Sequence, residues 1–160
     1  MKRFLCFVFG FITLFSKVCF ADHIFLMSEN EIENAKDIKI HSMYNDYEIE
    51  TLKRIVHCEA KGEGELGQMA VASVILNRVD SESFPDSIVD VVYQKGQFCP
   101  TKSDSFESTV ASNQVSKSVD KVLLGNRVVD SLYFKSTNSN ASWTKLNFDT
   151  KIGGHLFYSK

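Results

Sequence analysis

Proline is almost missing from this chain, 2 residues in 160, and no stretch is repetitive or low in complexity. Collagen-like, linker-like and solenoid organisation are thereby excluded. No apolar run reaches the ~20 residues that a membrane-spanning helix needs. Clusters of Lys and Arg are missing too, and the formal charge is −2, which argues against nucleic acid as a partner. There is no HExxH and no CxxC, and His23 and His41 stand apart from the other histidines, so no metal site is signalled and no cofactor is expected. What remains is a globular composition, 44% hydrophobic and 24% charged, of a length that suits one domain with its own core.

The first residues stand apart. Lys2 and Arg3 precede an apolar run from Phe4 to Phe15, and Cys19-Phe20-Ala21 supplies small residues where a signal peptidase reads them. That order is the order of a secretory signal. The competing reading is an uncleaved N-terminal anchor; a lipoprotein signal fits less well with Lys17 so close to Cys19. The expected organisation is a signal peptide over 1–21, a lead-in of extended or poorly ordered chain over 22–44, and a domain over 45–160. The protein is expected to be exported, to the periplasm or to the cell wall and medium, and to be free of the membrane once cleaved. Cleavage removes three cations and no acid, leaving −5 on the remainder. It also removes Cys6 and Cys19. Cys58 and Cys99 then form an even pair in an oxidising compartment, which points to one disulfide; two buried free thiols are the alternative.

Asn45 with Glu48 has the spacing of a capping box. Behind it Ile49, Leu52, Ile55, Val56 and Glu59 recur at steps of three and four, the signature of one helical face, ended by Gly62 and Gly64. Glu65 to Val79 reads as a helix apolar nearly all round, relieved only by Ser73 and Asn77, and so as the central core element. A short helix is expected after Asp86 or Ser87, with Ile88, Val91 and Val92 inward and Gly96 as its breaker. Residues 100–112 read as a surface loop. Val115, Val119, Val122 and Leu123 give a further helix closed by Gly125. Leu132–Phe134 and Leu156–Tyr158 read as two short strands around a polar loop. The fold class expected is α+β, mostly α.

Glu59 is the anomaly, an acid on an apolar stripe. Withdrawal from water disfavours its charged form, and a carboxyl still protonated near neutral pH can give its proton to a glycosidic oxygen. The competing reading is an outward carboxylate paired with Lys61 or Arg54. Glu63 and Glu65 read as solvent-exposed acids, with Glu63 the more distant candidate for a second catalytic carboxylate. His57-Cys58 invites a thiol nucleophile with His155 as base, but neighbours on a helix point about 100 degrees apart. Trp143, Tyr133, Phe134 and Tyr158 read either as an aromatic wall for sugar rings or as core.

The run Glu59-Ala60-Lys61-Gly62-Glu63, followed by Gly67-Gln68-Met69-Ala70-Val71-Ala72-Ser73-Val74-Ile75-Leu76-Asn77-Arg78-Val79, resembles the SleB-type cell wall hydrolases, the spore cortex-lytic enzyme family. Phe84-Pro85, Val91-Val92-Tyr93-Gln94, Gly96-Gln97-Phe98, Tyr133-Phe134, Trp143 and Ile152-Gly153-Gly154-His155-Leu156-Phe157 continue it, so that it covers roughly 51–160. The resemblance implies a small lysozyme-like domain with a short C-terminal β-hairpin. It implies cleavage of peptidoglycan between N-acetylmuramic acid and N-acetylglucosamine, with Glu59 as catalytic acid. It also implies lytic transglycosylase chemistry that needs no second carboxylate. Gln97 and Phe98 would line the cleft beside the acid, and Tyr133 and Trp143 its far wall. A Cys58–Cys99 bond would tie the catalytic helix to the Gln97-Phe98 loop. The protein is expected to act as a monomer. Two other classes stay open: a non-catalytic peptidoglycan-binding module, and a peptidase or amidase using Cys58.

Overall fold

A computed structural model describes residues 28–160. The expected signal peptide lies outside the described residues. The chain divides into two units at Lys39–Ile40.

Helix α1, Glu29–Met43, replaces the extended or poorly ordered chain expected over most of 22–44. It starts on a capping box: Ser28 Oγ accepts from the Glu31 amide and Glu31 Oε2 accepts from the Ser28 amide, 3.3 and 2.8 Å. Only Ile40 is buried, so no apolar stripe betrays the helix in the sequence.

From Ile40 onward the elements form a separate unit. Helix α2, Asp46–Ala60, opens on the expected capping box, with the Glu48 amide on Asn45 Oδ1 at 3.0 Å and the Asn45 amide on Glu48 Oε2 at 3.1 Å. Helix α3, Glu65–Val79, is buried at every residue from Gly67 to Leu76. One side of α3 packs with Leu52, Ile55, Val56, Val91, Val119 and their neighbours, while Ala70 and Val74 meet Val129 and Phe157 on the other. Removing each such side chain from water is worth about 1.5–3 kcal/mol, less for Ala. The polar residues of α3 are hydrogen-bonded. Ser73 Oγ accepts from the Val128 amide at 3.1 Å, Asn77 Nδ2 donates to the Val129 carbonyl at 2.8 Å, and Arg78 Nε donates to the Leu132 carbonyl at 2.7 Å. The strip that looked merely polar in sequence is the rail on which the chain enters the sheet.

Helix α4, Ile88–Tyr93, is capped by Ser87. The 100–112 stretch is more than a surface loop. It carries a short 3₁₀ turn, Pro100–Lys102, and sends Phe106 into the core. Helix α5, Asn113–Leu123, presents the expected Val115, Val119, Val122, Leu123 stripe inward. Three strands follow: β1, Tyr133–Ser136; β2, Asn147–Ile152; and β3, His155–Ser159. They pair antiparallel in the order β1-β3-β2. The sequence reading found β1 and β3 and missed β2. Gly153 and Gly154 join β2 to β3, with Gly153 at φ +56°, where a residue with a Cβ is strained. The fold is α+β and mostly α, as expected.

Candidate active site

Glu59 lies in the last turn of α2, three and four residues beyond the buried Val56 and Ile55. That spacing keeps its carboxyl beside the core face, half-buried. Loss of water pushes its pKa up from the ordinary carboxylate value, and no charged neighbour contributes. It has no ion pair and no hydrogen bond among the described residues. Arg54, one candidate to neutralise it, is bonded to Glu107 instead at 2.9 Å.

Glu63, four residues on, is held differently. Its side chain is 21% exposed, not the free surface acid the sequence suggested. The Gly154 amide donates to Oε2 at 3.0 Å, and His155 Nδ1 stands 3.7 Å from Oε1. Gly67, Gly153 and Gly154 each lack the Cβ that would collide with this side chain; at Gly153 it would sit 1.9 Å from Oε2. The Glu63 carbonyl accepts from buried Gln68 Nε2 at 3.0 Å, and the Ser118 hydroxyl donates to Gln68 Oε1 at 2.8 Å. The connection behind Glu59 is thus tied at once to α3, to α5 and to the β2–β3 turn. Burial lowers the His155 pKa, with Glu63 acting in the opposite sense. Glu65 is the plain surface acid expected, paired with Lys121 at 2.8 Å.

The thiol alternative fares poorly. Burial pushes the Cys58 thiol pKa up, the wrong direction for a nucleophile, and the thiol has Thr109 as its hydrogen-bond neighbour. His57 Nδ1 accepts from the Ser112 amide at 3.2 Å, so it serves the 100–112 segment rather than Cys58. Cys58 and Cys99 are both free in this structure: Cys58 is half-buried on α2, and Cys99 is exposed at the start of the 3₁₀ turn. The disulfide expected from the sequence is not formed.

The structure connects two of the four proposed substrate contacts, Phe98 and Tyr133, through a residue that sequence reasoning did not single out. The Arg78 guanidinium lies 5.1 Å from the Phe84 ring centre, 5.5 Å from Phe98 and 5.8 Å from Tyr133. Burial brings its pKa down to about 10. Trp143 continues the row, 6.4 Å from Tyr133 and 5.2 Å from Tyr158. An Arg in the last turn of an otherwise buried helix was the available signal. Phe98 is 3% exposed and packs against Phe134 at 6.3 Å, so it is core under the guanidinium rather than an open cleft wall. Gln97 is exposed in the turn before it. Glu59 shares no hydrogen bond or ring contact with any of these residues.

Residues 62–158 match the model of a family described as Cell Wall Hydrolase, a stretch that begins just beyond Glu59. The chain is 30% identical over 132 residues to a spore cortex-lytic enzyme of Bacillus cereus, covering 81% of this chain and 51% of that protein. A spore cortex-lytic enzyme of Halalkalibacterium halodurans is 30% identical over 141 residues, 81% of this chain and 39% of its own length. The chain therefore spans about half of the first of these relatives and less of the second. Among solved structures, the catalytic domain of the germination-specific lytic transglycosylase SleB from Bacillus anthracis superposes with a TM-score of 0.68 at 30% identity, covering 73% of this chain and 98% of that one.

Proposed function

The chain belongs to the cell wall hydrolase family, and we propose that it is an enzyme that cuts peptidoglycan glycan strands between N-acetylmuramic acid and N-acetylglucosamine, outside the cytoplasm, with Glu59 as its acid. The observation that carries this reading is the Glu59 carboxyl itself, half-dry, unpaired and shifted toward its protonated form. The solved SleB domain that the chain resembles is the catalytic domain of a germination-specific lytic transglycosylase, which supports the same chemistry.

In the proposed step Glu59 gives its proton to the bridging oxygen as the bond from C1 of muramic acid breaks. The N-acetylglucosamine side leaves as an alcohol. The muramic C6 hydroxyl then adds to C1, and the Glu59 carboxylate takes that hydroxyl's proton, so the acid is regenerated and no water is consumed. Direct hydrolysis would call for a second carboxylate free to act on water or on C1. Glu63, four residues away, has one oxygen on the Gly154 amide and the other facing His155, which favours the anhydro route.

The test is mass spectrometry of purified peptidoglycan digested with the protein beside its Glu59→Gln variant. Muropeptides ending in 1,6-anhydromuramic acid, absent with the variant, are expected. Reducing ends would replace the transglycosylase with a hydrolase. Retention on the wall with no fragments released, from either protein, would turn the reading toward a binding module.

A further inference from the structure

The sheet has two unlike faces. Neighbours along a strand point to opposite sides, and residues paired across strands share a side. Phe134, Phe157 and His155 lie on the side that meets α3, where Phe157 packs with Ala70 and Val74. On the other side Tyr133 pairs with Tyr158, and Tyr158 pairs with Phe148. That is one aromatic row across all three strands, with Trp143 set against Tyr158 at 5.2 Å. The next row is Lys135, Leu156 and Lys151.

A bulge creates this arrangement. Phe148 and Lys151 are three apart and would face opposite ways on a regular strand. The register shift between Phe148 and Thr150 puts both on the outer face while Thr150 turns inward opposite Phe157. Asp149, at the bulge, has its carboxylate taken by the Ser131 and Ser159 hydroxyls at 2.6 and 2.7 Å. Asp149 is therefore already engaged, and within the row Tyr158 is buried while Phe148 at its edge is open. Phe148 is 59% exposed, large for an edge-strand aromatic, and Lys151 is exposed without an ion pair. Lys135 lies over the Trp143 and Tyr158 rings at 5.5 and 5.6 Å and holds the Trp143 loop by donating to the Ala141 carbonyl. The charge is equally local. Residues 133–160 contain four lysines and one aspartate in a chain whose total is −2.

We propose that this outer sheet face is a docking surface for the peptide-bearing glycan strand, one sugar ring lying against Phe148 and the Tyr133–Trp143 row, and stem-peptide carboxylates meeting Lys151. Sugar C–H faces stack on aromatic rings, and a cationic patch on an otherwise acidic protein complements the carboxylates that the wall carries. The proposal rests on peptidoglycan being the substrate, and it assigns Tyr133 and Trp143 to a holding surface rather than to contact with Glu59.

The test is co-sedimentation with insoluble sacculi stripped of secondary wall polymers, at low salt and in a Glu59→Gln background so that nothing is digested. A Phe148→Ala, Lys151→Ala double variant is expected to bind at least about tenfold more weakly and with a shallower salt dependence, at an unchanged unfolding temperature. Lys117→Ala, at an exposed position of α5, serves as the off-face control and should bind normally. Equal binding by the double variant overturns the proposal. So does a dimer, seen by sedimentation velocity, that the double variant disperses while wall binding persists. If the unmodified protein releases no fragments and the double variant still loses the wall, the cleavage reading fails and the docking surface stands.

Discussion

The last turn of α2 and the connection that follows it each present one glutamate, and the fold treats the two oppositely. Glu59 is half-withdrawn from water and left without a partner; Glu63 is given an amide donor, a histidine neighbour and three glycines shaped around it. The residue type is the same and the separation is four positions. A carboxylate with its lone pairs filled by fixed donors stabilises a junction. A carboxyl deprived of both water and partners is held in a state it would not choose, and such states persist where chemistry uses them. The connection is tied by hydrogen bonds to the β2–β3 turn and to α3, while the acid in front of it has no such partner.

Several substitutions break that contrast, in descending order of effect. Glu59→Gln should lower the release of wall fragments by about 10²–10⁴-fold, the usual worth of a general acid, with the fold intact by circular dichroism. Gly153→Ala should cost about 2 kcal/mol in denaturant titration, since a Cβ at φ +56° is strained and lands against Glu63 Oε2. Glu63→Ala should cost about 1–3 kcal/mol by leaving the Gly154 amide without its acceptor. Glu63→Gln keeps an acceptor oxygen and should cost under about 1 kcal/mol, with most activity retained. Should Glu63→Gln instead stop cleavage at unchanged stability, the contrast collapses and Glu63 becomes the second catalytic carboxylate.

The helices and the odd acid were legible in the sequence because their signals are local. The Asn45–Glu48 cap, the stripe behind it, and the nearly all-apolar α3 are each written within the length of a single helix. Helix α1 escaped because it buries one residue, although its Ser28–Glu31 capping box was present to be read. Strand β2 escaped because the bulge destroys the alternation that reveals strands and because it is an exposed edge. The Glu63 cradle could not be read at all, since its donor lies 91 positions away. Phe106 was hidden in a run of Ser, Thr and Asp that composition marks as loop.

The smallest effect is also the sharpest probe of Glu59. Its folded pKa is raised above the ordinary 4.5 by desolvation, so the folded state keeps this proton to higher pH than the unfolded chain does. The stability associated with that proton is complete below pH 4.5 and is lost as pH rises through the folded pKa. Glu59→Gln removes the dependence. Its unfolding temperature should therefore match the parent's in acid, exceed it progressively as pH rises, and settle at a constant excess near neutrality. His155 has the opposite sign: its pKa is lowered by burial, so acidification below its ordinary 6.5 costs stability. That cost falls on parent and variant alike and cancels in the difference, which isolates Glu59. The alkaline limb of the cleavage profile should fall in the same pH range over which the excess grows, because one proton governs both. A flat difference across the range would mean that Glu59 is as well solvated as Glu65, and the dry, unpaired acid that separates it from Glu63 would not exist.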